Sequence, residues 1–301
     1  MATSPSHRWG QIIGQEFLEV AIEPLMRGIA TTHGLYLDQK GTRAARTGKK
    51  ISWVDLYGNT HDLDFVLERN GSDAKIGFPV AFIETAWRRY TKHSRNKAQE
   101  IQGAIMPLVT THQHHAPFIG VILAGDFTDG ALNQLRSLGF RVLYFSYTAI
   151  VAAFASVGID AQFEEDTPDA VCAMKVQAWE KLDKATRNKI AEHLLQEQSD
   201  QVTEFIRLLS ESITRQVNRV IVLPLHGGSV AWDTVDSAIN FIESYNETDI
   251  IVKPVARYEI QIRYNNGDSI KGEFVNKEGA VSFLRTYQPP LRPAPDASAT
   301  K

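Results

Sequence analysis

The sequence predicts an α/β fold: a mixed five-stranded sheet flanked by helices, then a helical segment and a small α+β C-terminal module. Three observations carry this. The runs PVAFIETAW (79–87) and PFIGVILAG (117–125) are almost continuously apolar, as strands buried on both faces are. The fourth and fifth strands are each reached through a stretch of helical spacing, which suits parallel pairing by right-handed crossover. The first three strands follow one another through short turn-bearing connections, which suits an antiparallel meander.

In chain order, residues 12–29 carry Ile13, Phe17, Val20, Ala21 and Leu25 at helical spacing, with Pro24 expected to kink or split the helix. Residues 34–50 read as a loop with a basic, glycine-containing centre. ISWVDLY (51–57) is the first strand, Gly58-Asn59 turns the chain, and HDLDFVLE (61–68) alternates as the second before Asn70-Gly71 ends it. The third strand is 79–87, and Ser94 is placed to cap a helix over 95–109. The fourth strand is 117–125, a helix over 129–138 stops at Gly139, and FRVLYFSY (140–147) is the fifth strand, with a helix through Val157.

The stretch DAQFEEDTPD (160–169) gathers five acids around a proline and reads as a solvated linker. The expected organisation is a core over 1–158, an acidic linker over 159–170 and a helical segment over 171–217 with breaks near Asp183 and Ser199-Asp200. A small α+β module over 218–288 follows, with strands at 219–225, 256–264 and 269–275 and helices at 233–245 and 277–285. A Pro/Ala-rich tail over 289–301 is expected to be disordered. No internal repeat emerges from this reading.

With 301 residues, 43% hydrophobic, 22% charged and a formal net charge of -3, the chain is an ordinary globular protein. This composition excludes a collagen-like repeat, a coiled-coil rod and pervasive disorder. Cys172 stands alone, which excludes a disulfide scaffold or a Cys-rich zinc module. No apolar run approaches the roughly 20 residues of a membrane helix, and MATSPSHRWGQ lacks the apolar centre of a secretory signal. A cytoplasmic protein without a membrane partner is expected. The near-neutral total hides two basic windows without an acid: 39–50, with Lys40, Arg43, Arg46, Lys49 and Lys50, and 88–97, with Arg88, Arg89, Lys92, Arg95 and Lys97.

Between those windows lies the pattern that points to chemistry. Asp64 interrupts Leu63-Asp64-Phe65-Val66 and Glu84 interrupts Phe82-Ile83-Glu84, and an acid within an apolar strand is costly unless a cation meets it. A short connection brings both carboxylates to one end of a sheet, where their repulsion calls for a divalent ion or a lysine. Oxygen ligands with room for water suit Mg²⁺. An ion so held activates water and neutralises a phosphodiester in its transition state. The competing reading pairs Glu84 with Arg88 or Arg89 and makes Asp64 a turn cap.

The element order over 10–158, with Asp64 on the second strand and Glu84 on the third, resembles the PD-(D/E)xK nuclease superfamily, the restriction-endonuclease-like fold. FIETAWRRYTKHSRNKAQEIQ (82–102) looks most like restriction endonucleases. The resemblance implies a Mg²⁺-dependent DNA endonuclease of the restriction or defence type, with Mn²⁺ able to substitute. Asp64 and Glu84 match the metal ligands. Where the family expects lysine, two residues beyond the acid, this chain has Ala86. Some members supply the amine from the following helix, which makes Lys97 the candidate and Lys92 the second choice. The alternative is a non-catalytic nucleic-acid-binding or scaffold subunit that keeps the fold. DNA is the expected partner, with Arg88, Arg89, Lys92, Arg95, Lys40, Arg43 and Arg46 on its phosphates. Cutting both strands needs two sites, so a homodimer or partner subunits of a defence complex are expected.

Other residues support smaller expectations. Asp62 shares a strand face with Asp64 and binds a second metal or, preferably, hydrogen-bonds in a turn. Glu16 sits where some family members add a ligand, but an exposed helical position competes. Glu100 is either an auxiliary ligand or the i+3 ion-pair partner of Lys97. His112, His114 and His115 read as surface residues, His226-Gly227-Gly228 as a turn, and Trp87 as core rather than a base-stacking platform.

Overall fold

The computed structural model describes residues 4–224, 229–247 and 255–288. The chain divides into two compact units, residues 1–214 and 215–301.

The first unit opens on α1 (Pro5–Gln11), capped by the Ser4 side chain, which accepts from the His7 amide. A π-helical turn over Ile12–Phe17 leads directly into α2 (Leu18–Thr32). The helix runs through Pro24, so the expected break is absent there; the irregularity lies earlier, in the π-helical turn. Gly14 within that turn presses on Trp87, where an added Cβ would stand 2.7 Å from the tryptophan's own Cβ.

The strands β1 (Tyr36–Gln39), β2 (Ile51–Val54), β3 (Thr60–Leu63), β4 (Phe65–Arg69) and β5 (Phe78–Arg88) follow. After a 3-10 turn at Thr91–His93 come α3 (Ser94–Thr111), β6 (Phe118–Gly125), α4 (Asp129–Ser137), β7 (Arg141–Ser146) and α5 (Tyr147–Ala155). The main sheet has the order β1-β4-β5-β6-β7. β4 pairs antiparallel with β1 and β5, and β5, β6 and β7 are parallel, so the mixed five-stranded α/β sheet is found.

Its first strand differs from expectation. It is β1, from within the expected basic loop, while residues 51–57 contribute only β2, which pairs with β3 in a separate hairpin. The cause is a buried ion cluster. Arg43 donates twice to Glu68 on β4, at 2.6 and 2.9 Å, and lies 2.8 Å from Asp38 on β1. Those pairs let the polar sequence Tyr-Leu-Asp-Gln sit at a sheet edge and fold the loop back over it. The run 61–68 also divides, bending at Asp64 between β3 and β4.

Helices cover both faces. One core, with Phe82, Ala86, Val121 and Leu123, faces α3 and α4. The other, with Ile83, Ile122 and Phe145, faces α1, α2 and α5 together with α6 (Asp169–Glu180), α7 (Lys184–Glu197) and α8 (Ser199–Thr214). Trp179 of α6 is fully buried beside Phe17 and Phe154, at ring separations of 6.3 and 5.6 Å. Phe205 of α8 packs edge-on to Phe118 of β6. The helical segment therefore belongs to the first unit, and the boundary expected at 159–170 falls at Thr214/Arg215. The acidic stretch is pinned rather than loose: Ala161 and Phe163 are buried, Ala161 O accepts from Trp9 Nε1 and Asp160 holds Lys175 at 2.7 Å.

The second unit comprises β8 (Val217–Pro224), β9 (Val230–Trp232), α9 (Val235–Ser244), β10 (Tyr258–Tyr264), β11 (Ser269–Phe274) and α10 (Lys277–Arg285). Its antiparallel sheet has the order β11-β10-β8-β9. The order of elements is a hairpin–helix unit used twice, with β8 and β10 paired at the centre. The apolar positions of the two helices correspond in register, with Ala238, Ile239, Phe241, Ile242 and Tyr245 answered by Ala280, Val281, Phe283, Leu284 and Tyr287. Their N-termini are capped alike, by the side chains of Thr234 and Asn276. An internal repeat is thus present where none was expected. Residues 226–228 and the tail from Pro289 lie outside the described residues.

Candidate functional site

β5 outruns β4 at one end of the sheet. The last register pair there is Phe65 with Ile83, and Leu63 has left to pair with Ile51 in the hairpin. Asp64 occupies the bend at that corner. Its Oδ2 accepts from the Thr85 amide at 2.8 Å and the Thr85 hydroxyl at 2.7 Å. Glu84 lies one residue earlier on β5, on the face shared by Phe82 and Ala86 and covered by α3.

Glu84 is half-buried, and its Oε2 is shut off from water without a hydrogen-bond donor. Burial first, and the neighbouring Asp64 second, push its pKa up to about 8, while the Lys97 cation pulls it down. At neutral pH the first two effects favour the protonated carboxyl. Lys97 stands on the first turn of α3, largely buried, with its Nζ 3.4 Å from Glu100 Oε2. Ala86 is packed into the apolar cluster and supplies no amine.

These residues line a cleft of about 860 Å³. Lys40, Lys49 and Lys50 line it from the basic loop, Gln15 and Glu19 from the first helices, and Phe163, Glu164 and Glu165 from the acidic stretch. Asp64, Glu84 and Lys97 are thus brought together in one cleft, as the sequence predicts. Asp62 also lines it, on β3, bound to Lys50 at 2.6 Å and to the Ser52 hydroxyl at 2.7 Å. Lys50 holds the Asp62 carboxyl below the usual aspartate range. Glu100 is exposed and takes the ion-pair alternative, facing Lys97 and, at 3.6 Å, Arg88. Glu16 is neither a cleft residue nor free: Arg8 approaches at 2.7 Å and Trp179 Nε1 donates to it at 2.9 Å, so it ties α6 to the first helix.

The expected phosphate contacts separate into two groups. Arg43, with 2% of its side chain exposed, is enclosed by Glu68, Asp38 and the carbonyls of Ser72 and Lys75. Arg46 donates to Asp38 and to Gln39 O. Arg89 is fixed by Asp126 at 2.7 Å, Phe163 O at 2.8 Å and Glu164, and lies 3.8 Å over the Tyr147 ring. These three guanidiniums are structural, which corrects their assignment to DNA: their donors are occupied and their side chains buried. Lys92 is exposed but paired with Glu165. Lys40 and Arg95 are exposed, and Arg88 lines the cleft.

The histidines also differ from expectation. His112 ends α3 against Trp53 and Phe82, and burial pushes its pKa down to about 4. His115 stacks on Phe78 at 4.8 Å. Trp87 takes its core role between Gly14 and Tyr147, though one side lines the cleft.

Thr85 is the site residue that sequence reasoning missed. Its signal was a hydroxyl directly after the acid, in a strand otherwise apolar. Lys49 and Lys50 were visible in the basic window but unassigned. Among the described residues no cluster of three or more His, Cys, Asp or Glu forms a ready metal cage. No helix among them is long and apolar enough to cross a membrane. No family model, curated protein or solved structure matches this chain.

Proposed function

We propose that this protein is a Mg²⁺-dependent endodeoxyribonuclease of the PD-(D/E)xK type, working in cytoplasmic restriction or defence. The observation that carries the reading is the donorless, buried Glu84 Oε2 beside Asp64 in a lysine-rimmed cleft. An oxygen acceptor buried without a donor is costly unless something positive completes it. The oxygen-only pair fits a hard divalent cation, with Mn²⁺ able to replace Mg²⁺. Asp64 and Glu84 would hold the ion, which supplies Lewis-acid activation of water and charge neutralisation at a phosphodiester.

The chain's own residues do the rest. Lys97 brings a cation to Glu84 and supplies the amine that Ala86 cannot, orienting the attacking water. Arginine is a poor substitute there because it holds its protons too tightly for acid–base work. Lys40, Lys49 and Lys50 on one wall and Arg88 and Arg95 near α3 meet backbone phosphates. Such contacts position a duplex without reading its sequence. Double-strand cleavage needs two such sites, so the chain acts as a homodimer or beside partner subunits.

The displaced lysine favours one second reading: a DNA-binding subunit that has kept the fold and lost hydrolysis. Plasmid nicking separates the two. Cleavage with Mg²⁺ or Mn²⁺, suppressed by EDTA and lost in Asp64→Asn and Glu84→Gln, supports the enzyme. Metal-independent binding of DNA without cleavage of any DNA, modified or not, supports the binding subunit. The same assay on RNA tests the choice of nucleic acid.

A further inference from the structure

Asp64 is held in an unusual way for an acid at a strand bend. Beyond Ile83 the edge of β5 has lost β4, so the Thr85 amide has no β4 carbonyl opposite it. A backbone amide sheltered from water must find an acceptor. It finds Asp64 Oδ2, and the Thr85 hydroxyl donates to the same oxygen. Thr85 is on the opposite face of β5 from Glu84, with Ile83 and Trp87, so its hydroxyl reaches Asp64 around the sheet edge. Oδ2 of Asp64 therefore accepts two hydrogen bonds from Thr85, which leaves Oδ1 for anything in the cleft.

We propose that the Thr85 hydroxyl is a positioning group for the metal centre: it locks the Asp64 carboxylate so that a single, fixed oxygen faces the ion. This rests on the reading of Asp64 and Glu84 as metal ligands. The amide alone is one hydrogen bond, about which a carboxylate can swing. Amide and hydroxyl together bind one oxygen from two directions and hold the orientation. Partners that orient a ligand without touching the metal are commonly worth about 10- to 100-fold in metal affinity. A valine at 85 keeps the amide, the branched shape and the strand preference and removes only the hydroxyl. A serine keeps the hydroxyl.

The test is Mn²⁺ binding to the full chain without DNA, followed by electron paramagnetic resonance of the free ion, at fixed pH and ionic strength. Thr85→Val is expected to weaken binding about 10- to 100-fold, and Thr85→Ser, which keeps the hydroxyl, to bind close to the parent. Circular dichroism checks that each variant is folded, and Thr85→Ala, smaller and equally lacking the hydroxyl, should match Thr85→Val. Wild-type affinity in both Thr85→Val and Thr85→Ala, or a loss in Thr85→Ser as large as theirs, overturns the proposal. Asp64→Asn and Glu84→Gln keep the two failures apart. If they abolish Mn²⁺ binding while Thr85→Val leaves it intact, Thr85 alone is wrongly assigned. If they bind Mn²⁺ as the parent does, the metal reading fails and the Thr85 role with it.

Discussion

The two basic windows, 39–50 and 88–97, look alike in sequence and do different work in the fold. In the first, the arginines turn inward: Arg43 and Arg46 neutralise Asp38 and Glu68 and fasten the loop to the sheet edge. The lysines of the same window remain on the cleft wall. In the second, Arg89 is buried and Lys92 is met by Glu165, while Lys97 pairs with Glu100 and lowers the pKa of Glu84. The difference follows side-chain chemistry. A planar guanidinium bonds carboxylates and carbonyls bidentately and tolerates burial; a compact, strongly hydrated ammonium keeps to water or to a specific charge. Charge runs therefore do not mark a nucleic-acid surface until the arginines have been accounted for.

The largest expected effect lies in the inward half of the first window. Arg43→Ala would leave Glu68 buried without its counter-charge and Asp38 with Arg46 alone, costing about 3–5 kcal/mol. Chemical denaturation measures this, and the folded fraction should bind DNA with an unchanged salt slope. A stable Arg43→Ala protein with weakened DNA binding would reverse the comparison.

In the second window, Lys97→Ala should leave stability and the fold in place and reduce the rate of Mg²⁺-dependent nicking by about 10² to 10⁴. Ala86→Lys in that background should recover part of the rate if both amines reach the same water. Normal cleavage by Lys97→Ala would remove that residue from the site.

Replacing Lys40, Lys49 and Lys50 together by alanine should flatten the dependence of log K on log salt by up to about 0.9 for each phosphate no longer neutralised. An unchanged slope would make that wall a solvated surface. The smallest effect belongs to Glu165→Gln, which frees the exposed Lys92. DNA binding should tighten only slightly, because an exposed, solvent-screened pair costs little to break.

Acidity sharpens the contrast between the cleft and the far end of α3. Glu84 is raised from 4.5 to about 8, so between those values the folded chain binds a proton that the unfolded chain has lost. The Glu84 contribution to stability therefore falls as pH rises through that window. His112 is lowered from 6.5 to about 4, so its contribution has the opposite sign, lost as pH falls from 6.5 towards 4. Between pH 6.5 and 8 only the Glu84 contribution remains, and Glu84→Gln should remove the downward slope seen there by urea denaturation.

Much of the fold was legible because apolar runs and turn residues carry it. The buried strands β5 and β6, the crossovers and the breaks between α6, α7 and α8 fall close to where spacing puts them. Asp64 and Glu84 were legible because an acid within an apolar run is costly and so informative. Strand β1 was not, since Asp38 and Gln39 look like loop residues until Arg43 and Arg46 are folded onto them. The acidic stretch misled for the same reason: its carboxylates answer Arg89, Lys92 and Lys175, cations distant in sequence. Thr85 escaped because its partner is set by where β4 ends, a register that no local pattern encodes. The repeat in the second unit was legible, in Ala238–Tyr245 and Ala280–Tyr287, and was hidden only by the differing hairpins before it.

The centre of the reading is that Asp64 and Glu84 jointly hold a divalent cation. Isothermal titration calorimetry with Mn²⁺ at pH 7, in two buffers of different ionisation enthalpy, tests it most directly. Glu84 is mostly protonated at pH 7, so binding should release about one proton per Mn²⁺, and Glu84→Gln should either lose the binding heat or bind without that release. Mn²⁺ binding with no proton release, or with the same release from Glu84→Gln, would contradict it.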